Sequence, residues 1–526
     1  RFDISSVALA LGSLLFSGWM MTKTLHGNGA GELFVGSNNV FDFGLSVGLM
    51  RSISWGINIP LTSPFFAGLP LFYHFFFNVW TALWETLGAP AVWAINIPSI
   101  LSFTAFLVVV YYLPQVLAKQ KPWVGWIAVF LTLTNSSLAF WHLLIQHGIS
   151  LAFVRTLWML PTYPFAGPFD GSVISLFITL NNYVNQRHLA FAIALGLFLY
   201  ISAVRAKKKM TPAFALMLGI FTGALLLWNM SIYAAVGGCV LFALLLRRQW
   251  REVLVYAGAS VGVGFALLIP ILPFLYRAFL FVQLLVNSLP SVPSVSRWTL
   301  PLYLWENLGI LPVAAAAGYG LLDKEARKAY IPHVLGFVAV CVLAGVGNRG
   351  FDQKWFSFFI IGMNALAACG AYWLWRKRGM VRKGMAIVVL GVLSFSGIVN
   401  LFPLKNEFAF PLISSQMVPV VSWIKNNTPK DAVFVSYSDM IDPVVLAGRR
   451  NYFGFFGNIG YYDRSEEVRE VYSGNADVAG ANGISYILVP KWEKNDFSYE
   501  ANPEALRESF AQVYEDERYL IFNLVK

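Results

Sequence analysis

Charge is scarce in this sequence. Only 12% of its 526 residues are Asp, Glu, Lys or Arg, where a soluble domain carries roughly 25%. That share cannot cover a chain of this size with polar surface, which excludes a cytosolic enzyme and a disordered chain. Cysteine is nearly absent: Cys239, Cys341 and Cys369 all sit in apolar runs. A disulfide scaffold is therefore excluded, and the three thiols read as small core residues. No Walker loop, G-x-S-x-G elbow or H-E-x-x-H zinc helix occurs, so nothing supports ATP-driven transport. Gly454, Gly457 and Gly460 lack the strand–helix setting of a dinucleotide loop. Solenoid repeats and low-complexity tracts are also missing.

What the chain has is apolar surface. Hydrophobic residues make up 57% of it and aromatics 16%, including 44 Phe and 18 Trp, and the mean hydropathy is +0.61. The composition is that of an α-helical polytopic membrane protein. Runs near the 20 residues needed to cross a bilayer give eleven expected spans: 5–22, 91–113, 122–140, 188–204, 211–228, 231–246, 253–276, 309–322, 332–347, 355–375 and 383–402. Val7–Met21 lacks a small-residue cleavage site and reads as a retained span. Gly262-Val263-Gly264 reads as a close-packing point within a span.

The net charge of +11 does not point to nucleic acid, because the cations fall in short clusters between apolar runs. These are Lys119/Lys121, Arg205 with Lys207–Lys209, Arg247/Arg248/Arg251, Lys324/Arg327/Lys328, and Arg376–Arg378 with Arg382/Lys383. Short basic loops stay cytoplasmic. All five clusters fall on one side only if the apolar stretch 64–88 does not cross but lies along the surface or re-enters. The expected topology then has a cytoplasmic N-terminus, with 23–63, 141–187, 277–308, 348–354 and everything from 403 onward outside. The expected localisation is the cell (cytoplasmic) membrane, multi-pass.

The expected domain division is a transmembrane part, 1–402, with juxtamembrane helices in an outer loop 23–90, and a small extracytoplasmic α/β domain, 403–526. In the latter, 420–426, 465–471 and 503–511 read as helical, and 432–436, 484–489 and 519–524 as strands.

Polar residues on the outer side are the candidate site. Asp42, in Asn38-Asn39-Val40-Phe41-Asp42-Phe43-Gly44, precedes a helical segment at 45–55. Beside an apolar wall its carboxylate suits a general base; an ordinary loop aspartate or a helix cap remains open. Tyr73 and His74 lie in an apolar segment where a polar ring needs a partner or a cavity. Gln186, Arg187 and His188 close the densest polar cluster, Asn181–His188. Arg187 can offer paired donors to a phosphate or snorkel to lipid headgroups. Asp170 shares that connection with His142 and His147, without the spacing of a zinc site. Arg349, Asp352 and Lys354 form an outer turn at a helix start, an anion site or a plain ion pair on a solvated turn.

The run Asp42-Phe43-Gly44 … Arg51-Ser52-Ile53-Ser54-Trp55-Gly56-Ile57-Asn58-Ile59-Pro60 … Phe66-Ala67-Gly68-Leu69-Pro70-Leu71-Phe72-Tyr73-His74-Phe75 resembles prokaryotic polytopic proteins of the GT-C glycosyltransferase superfamily. Asn185-Gln186-Arg187-His188-Leu189 and Asp352-Gln353-Lys354 resemble further signatures of that group. Ala447-Gly448-Arg449 … Tyr452 … Gly457 and Gly483–Val489 resemble its extracytoplasmic domain. The resemblance implies a membrane enzyme that moves a sugar from a polyprenyl-phosphate donor to a glycan, lipid or protein acceptor. It implies Asp42 as the acidic residue assisting the acceptor, with Arg187, His188, Arg349 and Lys354 around the donor phosphate. Tyr73, His74, Asp170, Gln186, Asp352, Arg449 and Tyr452 are expected in supporting or substrate-binding roles. No protein metal site is expected, although a divalent cation (Mg or Mn) is compatible with the chemistry.

Two positions depart from the group. Leu45-Ser46 stands where relatives carry a histidine after the aspartate, and Trp228-Asn229-Met230-Ser231 stands in place of a His-Gly-His-like turn. They motivate a second reading, an inactive GT-C-like scaffold bound to membrane-protein partners. A secondary transporter ranks third, since ionisable residues cluster at span ends, not midway along spans.

Overall fold

The computed structural model describes residues 4–59, 61–69, 71, 74–163, 180–206, 210–269, 300–346, 353–437, 439, 441–454, 464–491 and 501–524. The fold is mainly helical, with a small sheet region near the C-terminus. Two compact units make up the chain. One comprises 1–23, 97–268 and 290–408; the other comprises 24–96, 269–289 and 409–526. The second unit thus joins the first long loop to the C-terminal segment, residues that composition alone separates.

The first unit holds the spans. Among the described residues, seven helices are long and apolar enough to cross a membrane: Ile4–Thr24, Ala91–Ala118, Arg187–Arg205, Trp250–Leu268, Lys324–Leu343, Lys354–Arg376 and Met380–Asn406. The Ala91–Ala118 helix starts in the second unit and runs on into the first. Two further pairs meet the test only together. Pro122–Thr134 with Ala139–His147 bends by 61°, and Leu300–Leu308 with Leu311–Gly320 bends by 78°. The count is therefore seven, or nine if each bent pair is one span. Pro212–Leu227 and Met230–Leu246 are shorter apolar helices. The eleven expected intervals all coincide with these helices, but four of them are broken or short. Polar and glycine residues cause the breaks: Asn135-Ser136-Ser137 separates the first pair, and Gly309, with φ +53°, separates the second. Leu138 N donates to Glu306 O at 2.7 Å, and His142 Nε2 lies 2.7 Å from a Glu306 carboxylate oxygen, so the two breaks are stitched together.

Small residues set the closest helix contacts. A Cβ on Gly318 would lie 1.8 Å from Leu366 O, and one on Gly219 would lie 2.5 Å from Tyr256 O. At Gly262-Val263-Gly264 the close contact is made by Val263, which lies 2.8 Å from where a Cβ on Gly223 would sit, while Gly262 faces open space and Gly264 makes only ordinary contacts. Apolar periodicity alone does not say which glycine faces a neighbouring helix.

The second unit is α/β. β1 (Leu25–Gly27), β2 (Leu33–Gly36) and β3 (Ala409–Ile413) form an antiparallel sheet in that order. β2 pairs with β3 from Phe34↔Pro411 to Gly36↔Ala409, bringing the first loop onto the C-terminal segment. The second sheet has the order β5-β4-β6-β8-β7, built from β4 (Val433–Val435), β5 (Arg450–Asn451), β6 (Tyr486–Pro490), β7 (Ala511–Glu515) and β8 (Tyr519–Asn523). β4 runs parallel to β5 and β6, while β8 is antiparallel to β6 and β7. Helices Val418–Asn427, Ser465–Tyr472 and Pro503–Ser509 and three of these strands lie where the sequence places them. Val435, Val468, Val471, Ile487, Leu506 and Phe522 form its core, which also takes in Phe66 and Leu69 of the first loop.

Among the described residues of the stretch 64–88 there is one helix, Phe76–Thr86, of 11 residues. At 1.5 Å per residue it is about 17 Å long, well short of the ~30 Å hydrocarbon core. Residues 61–69 before it form turns and irregular backbone. Val79, Leu83 and Leu87 are exposed on one face, while Phe77, Thr81, Ala82 and Glu85 are buried.

Candidate functional site

Asp42 belongs to the second unit. It occupies the first turn of the helix Val40–Ser54 and is half-buried, a position where the helix dipole favours a negative side chain. The helix is fixed by its apolar face: Leu45 and Leu49 pack with Phe65, Leu71 and Val445. Gly48 permits the contact, since a Cβ there would lie 2.5 Å from a Val445 methyl.

Below Asp42 the helix carries Arg51, which is buried. Its Nε lies 3.5 Å from a carboxylate oxygen of Glu85 in the helix Phe76–Thr86, and its Nη1 donates to Leu446 O at 2.9 Å. The other Glu85 oxygen accepts from Ser54 Oγ. Burial lowers the Arg51 pKa from its ordinary value, and the Glu85 carboxylate opposes that shift. The Trp55 ring receives Arg51 at 3.9 Å and Lys425 at 3.7 Å. Burial, then the nearby Arg51 and Arg449 cations, push the Lys425 ammonium down, while Glu85 pulls it back. Asn58 organises the following turn, donating to Ser52 Oγ and Thr62 O and accepting from Thr62 N and Oγ1.

Arg449 is buried, and its donors are used internally. Nε donates to Thr428 Oγ1 (2.9 Å), Nη2 to Lys425 O (2.7 Å) and Thr428 O (3.0 Å), and Nη1 to Trp55 O (3.2 Å) and Ala447 O (3.4 Å). Tyr452 is also buried, donating to Asn482 Oδ1 at 2.9 Å. Asp442, fully buried, accepts from Val444 N, Ser436 Oγ and Asn451 Nδ2. Asn451 in turn pairs with the first loop, donating its N–H to Pro64 O and accepting from Ala67 N, 2.8 Å each. His74 lies just ahead of Phe76–Thr86, half-buried.

The first unit holds a second polar cluster. Arg187 opens the helix Arg187–Arg205 and is buried, its Nε donating to Val184 O (2.8 Å) and Nη2 to Met21 O (3.3 Å). Glu407 is within its electrostatic reach, and Glu407 O accepts from Lys23 Nζ at 3.3 Å. His188 Nε2 lies 3.3 Å from Asn229 Nδ2 and within electrostatic reach of Lys354. Asn182 Nδ2 donates to Ser357 Oγ at 2.8 Å, so the Asn181–His188 segment and the start of Gln353–Arg376 meet. Gln186 is half-buried at the break between the helices Leu180–Asn185 and Arg187–Arg205. Arg187, His188 and Lys354 thus share one neighbourhood. Tyr73, Asp170, Arg349 and Asp352 lie outside the described residues.

Sequence reasoning passed over Glu85, Glu407 and Asp442. Glu85 left a readable signal, as a carboxylate inside an otherwise apolar stretch must have a cation or a cavity. Among the described residues no three His, Cys, Asp or Glu side chains converge as a metal-binding set.

The sequence matches no protein-family model and no curated protein. Solved structures do match. Arabinofuranosyltransferase AftD from mycobacteria superposes with a TM-score of 0.57 at 13% identity, covering 98% of this chain and 41% of AftD. A second AftD structure gives 0.51 at 12% identity, with 98% and 40% covered. ArnT from Cupriavidus metallidurans, bound to undecaprenyl phosphate, gives 0.48 at 13% identity, with 99% and 98% covered. The chain spans about two fifths of AftD's length. The chain is a multi-pass membrane protein with the fold of the GT-C glycosyltransferases.

Proposed function

We propose that the protein transfers a sugar from a polyprenyl-phosphate donor to an acceptor at the outer face of the cell membrane. The observation that carries this reading is the likeness to AftD, by name an arabinofuranosyltransferase, across 98% of the chain. In this proposal the N-terminus is cytoplasmic, and Asp42 and the C-terminal domain 403–526 face outward. The polar residues support specific roles. Asp42, at the start of a firmly packed helix, takes the acceptor hydroxyl proton. The donor phosphate leaves without needing a proton, so its departure needs electrostatic stabilisation. Lys354 and His188, with Arg349, supply it. Arg187, whose bonds reach Val184 O and Met21 O, orients the polar segment beside that phosphate. Gln186, Asp352, Asp170, Tyr73 and His74 take supporting roles in this proposal. Arg449 and Tyr452 hold the C-terminal domain that receives the acceptor.

The test is transfer from labelled polyprenyl-phosphate sugars by the full chain in proteoliposomes. Asp42→Asn is expected to lower transfer about a hundredfold or more with the unfolding temperature unchanged. Transfer at the wild-type rate by that variant removes Asp42 from the mechanism. The internal use of the Arg187 guanidinium favours one second reading, a GT-C-like scaffold. That reading predicts no transfer from any donor, and stable recovery with a membrane-protein partner.

A further inference from the structure

At the end of the Gln353–Arg376 helix the first unit contains a half-open cavity of about 290 Å³, lined among others by Gln120, Leu322, Tyr372, Trp373, Arg376 and Lys377. A volume near 300 Å³ is the lower end of ligand-binding clefts. Among the described residues its wall carries two cations and no carboxylate. Among the described residues neither Arg376 nor Lys377 is in an ion pair. The nearest acid in sequence, Asp323, is turned to its own helix, where it accepts from Ala326 N at 2.8 Å. Both cations lie over aromatic rings one turn back: Arg376 is 5.8 Å from the Tyr372 centroid and Lys377 is 5.3 Å from that of Trp373. That packing fixes the stems and leaves the N–H groups as donors. Leu321 and Trp373, both in the cavity wall, are exposed at 44% and 39%.

Cations over an aromatic floor, bordered by exposed apolar side chains at a span end, match a phosphate ester at a membrane interface. We infer that this cavity binds a phosphate ester, with Arg376 and Lys377 as its charged donors and Gln120 as a neutral one. Guanidinium supplies paired donors to two phosphate oxygens, and the ammonium adds a point charge. An anionic phospholipid headgroup and a soluble phosphate ester share this chemistry.

The full chain is reconstituted in nanodiscs of phosphatidylcholine, with or without phosphatidylglycerol, and thermal unfolding is followed. Glycerol phosphate added to the phosphatidylcholine discs is the soluble arm. Stabilisation by phosphatidylglycerol that is lost in R376Q/K377Q supports the site with a lipid occupant. Stabilisation by glycerol phosphate, lost in the same variant, supports it with a soluble one. A shift that persists in R376Q/K377Q, or no shift with either ligand, overturns the inference. R248Q/R251Q removes two basic residues outside this cavity and should keep the shift; its loss there as well means diffuse charge attraction, which also overturns the inference. Native mass spectrometry of retained phosphatidylglycerol, or of added glycerol phosphate, reads occupancy without relying on unfolding, and R376Q/K377Q should lose the bound copy.

Discussion

Arg51 and Glu85 form a buried ion pair, Nε to carboxylate oxygen 3.5 Å, with both side chains about 5% exposed. Arg51 also donates to Leu446 O, so one guanidinium ties two helices of the first loop to the C-terminal domain. Removing one partner leaves a buried charge uncompensated, which costs about 3–5 kcal/mol. Glu85→Ala is expected to destabilise the full chain by that amount in denaturant unfolding monitored by Trp fluorescence. A loss under about 1 kcal/mol, the range of ordinary surface substitutions, contradicts the assigned burial.

The Asp442 carboxyl gives a pH signature. Burial raises its pKa from 3.8 to about 7, although its bonds to Val444 N, Asn451 and Ser436 pull the other way. Between those values the folded chain holds a proton that the unfolded chain has released. The unfolded state then binds fewer protons, so stability falls as pH rises through this window and levels off above it. Asp442→Asn cannot titrate. The wild-type minus variant stability, from unfolding at pH 4, 5, 6 and 7, should therefore shrink steadily with pH. A difference that stays constant or grows contradicts the shift.

Arg449 makes five hydrogen bonds inside the second unit. A lysine ammonium cannot reproduce the planar fork. Arg449→Lys is expected to cost about 3 kcal/mol, from losing two or more charge-assisted bonds at ~1.5 kcal/mol each. Unfolding at the wild-type midpoint contradicts this.

Much of the membrane part was legible because apolar runs of span length follow from bilayer physics. The breaks were less so: in Leu300–Gly320 a 78° bend is announced only by Gly309 and by Pro312 at the start of the second helix. The second unit was half legible. Its β4, β6 and β8 follow from short continuous apolar runs, but β1 and β2 form a short local hairpin whose second strand pairs with β3 across most of the chain. No local pattern encodes that. Asp42 was legible as an acid at a helix start; the partner of Arg51 was not, since Glu85 lies 34 residues on in an apolar stretch. Arg449 could be named from sequence, but its burial depends on Thr428 and Trp55, which are distant in the chain.

The helix contact at Gly318 is a packing test. Gly318→Ala places a methyl 1.8 Å from Leu366 O, so the helices must separate. Overpacking of this kind costs about 1–3 kcal/mol. The variant's unfolding temperature in detergent should fall, whereas Gly320→Ala, facing open space, should leave it unchanged. Equal behaviour of the two contradicts the packing.

Sidedness is the claim on which the proposed chemistry rests. With Cys239, Cys341 and Cys369 replaced by Ala, single cysteines at Asn28, Lys430 and Arg382 are labelled on intact cells with a membrane-impermeant maleimide. The account predicts that the Asn28 and Lys430 positions react from outside and that Arg382 reacts only after permeabilisation. Labelling of Arg382 together with Asn28 on intact cells, or protection of Asn28 until the cells are opened, contradicts it.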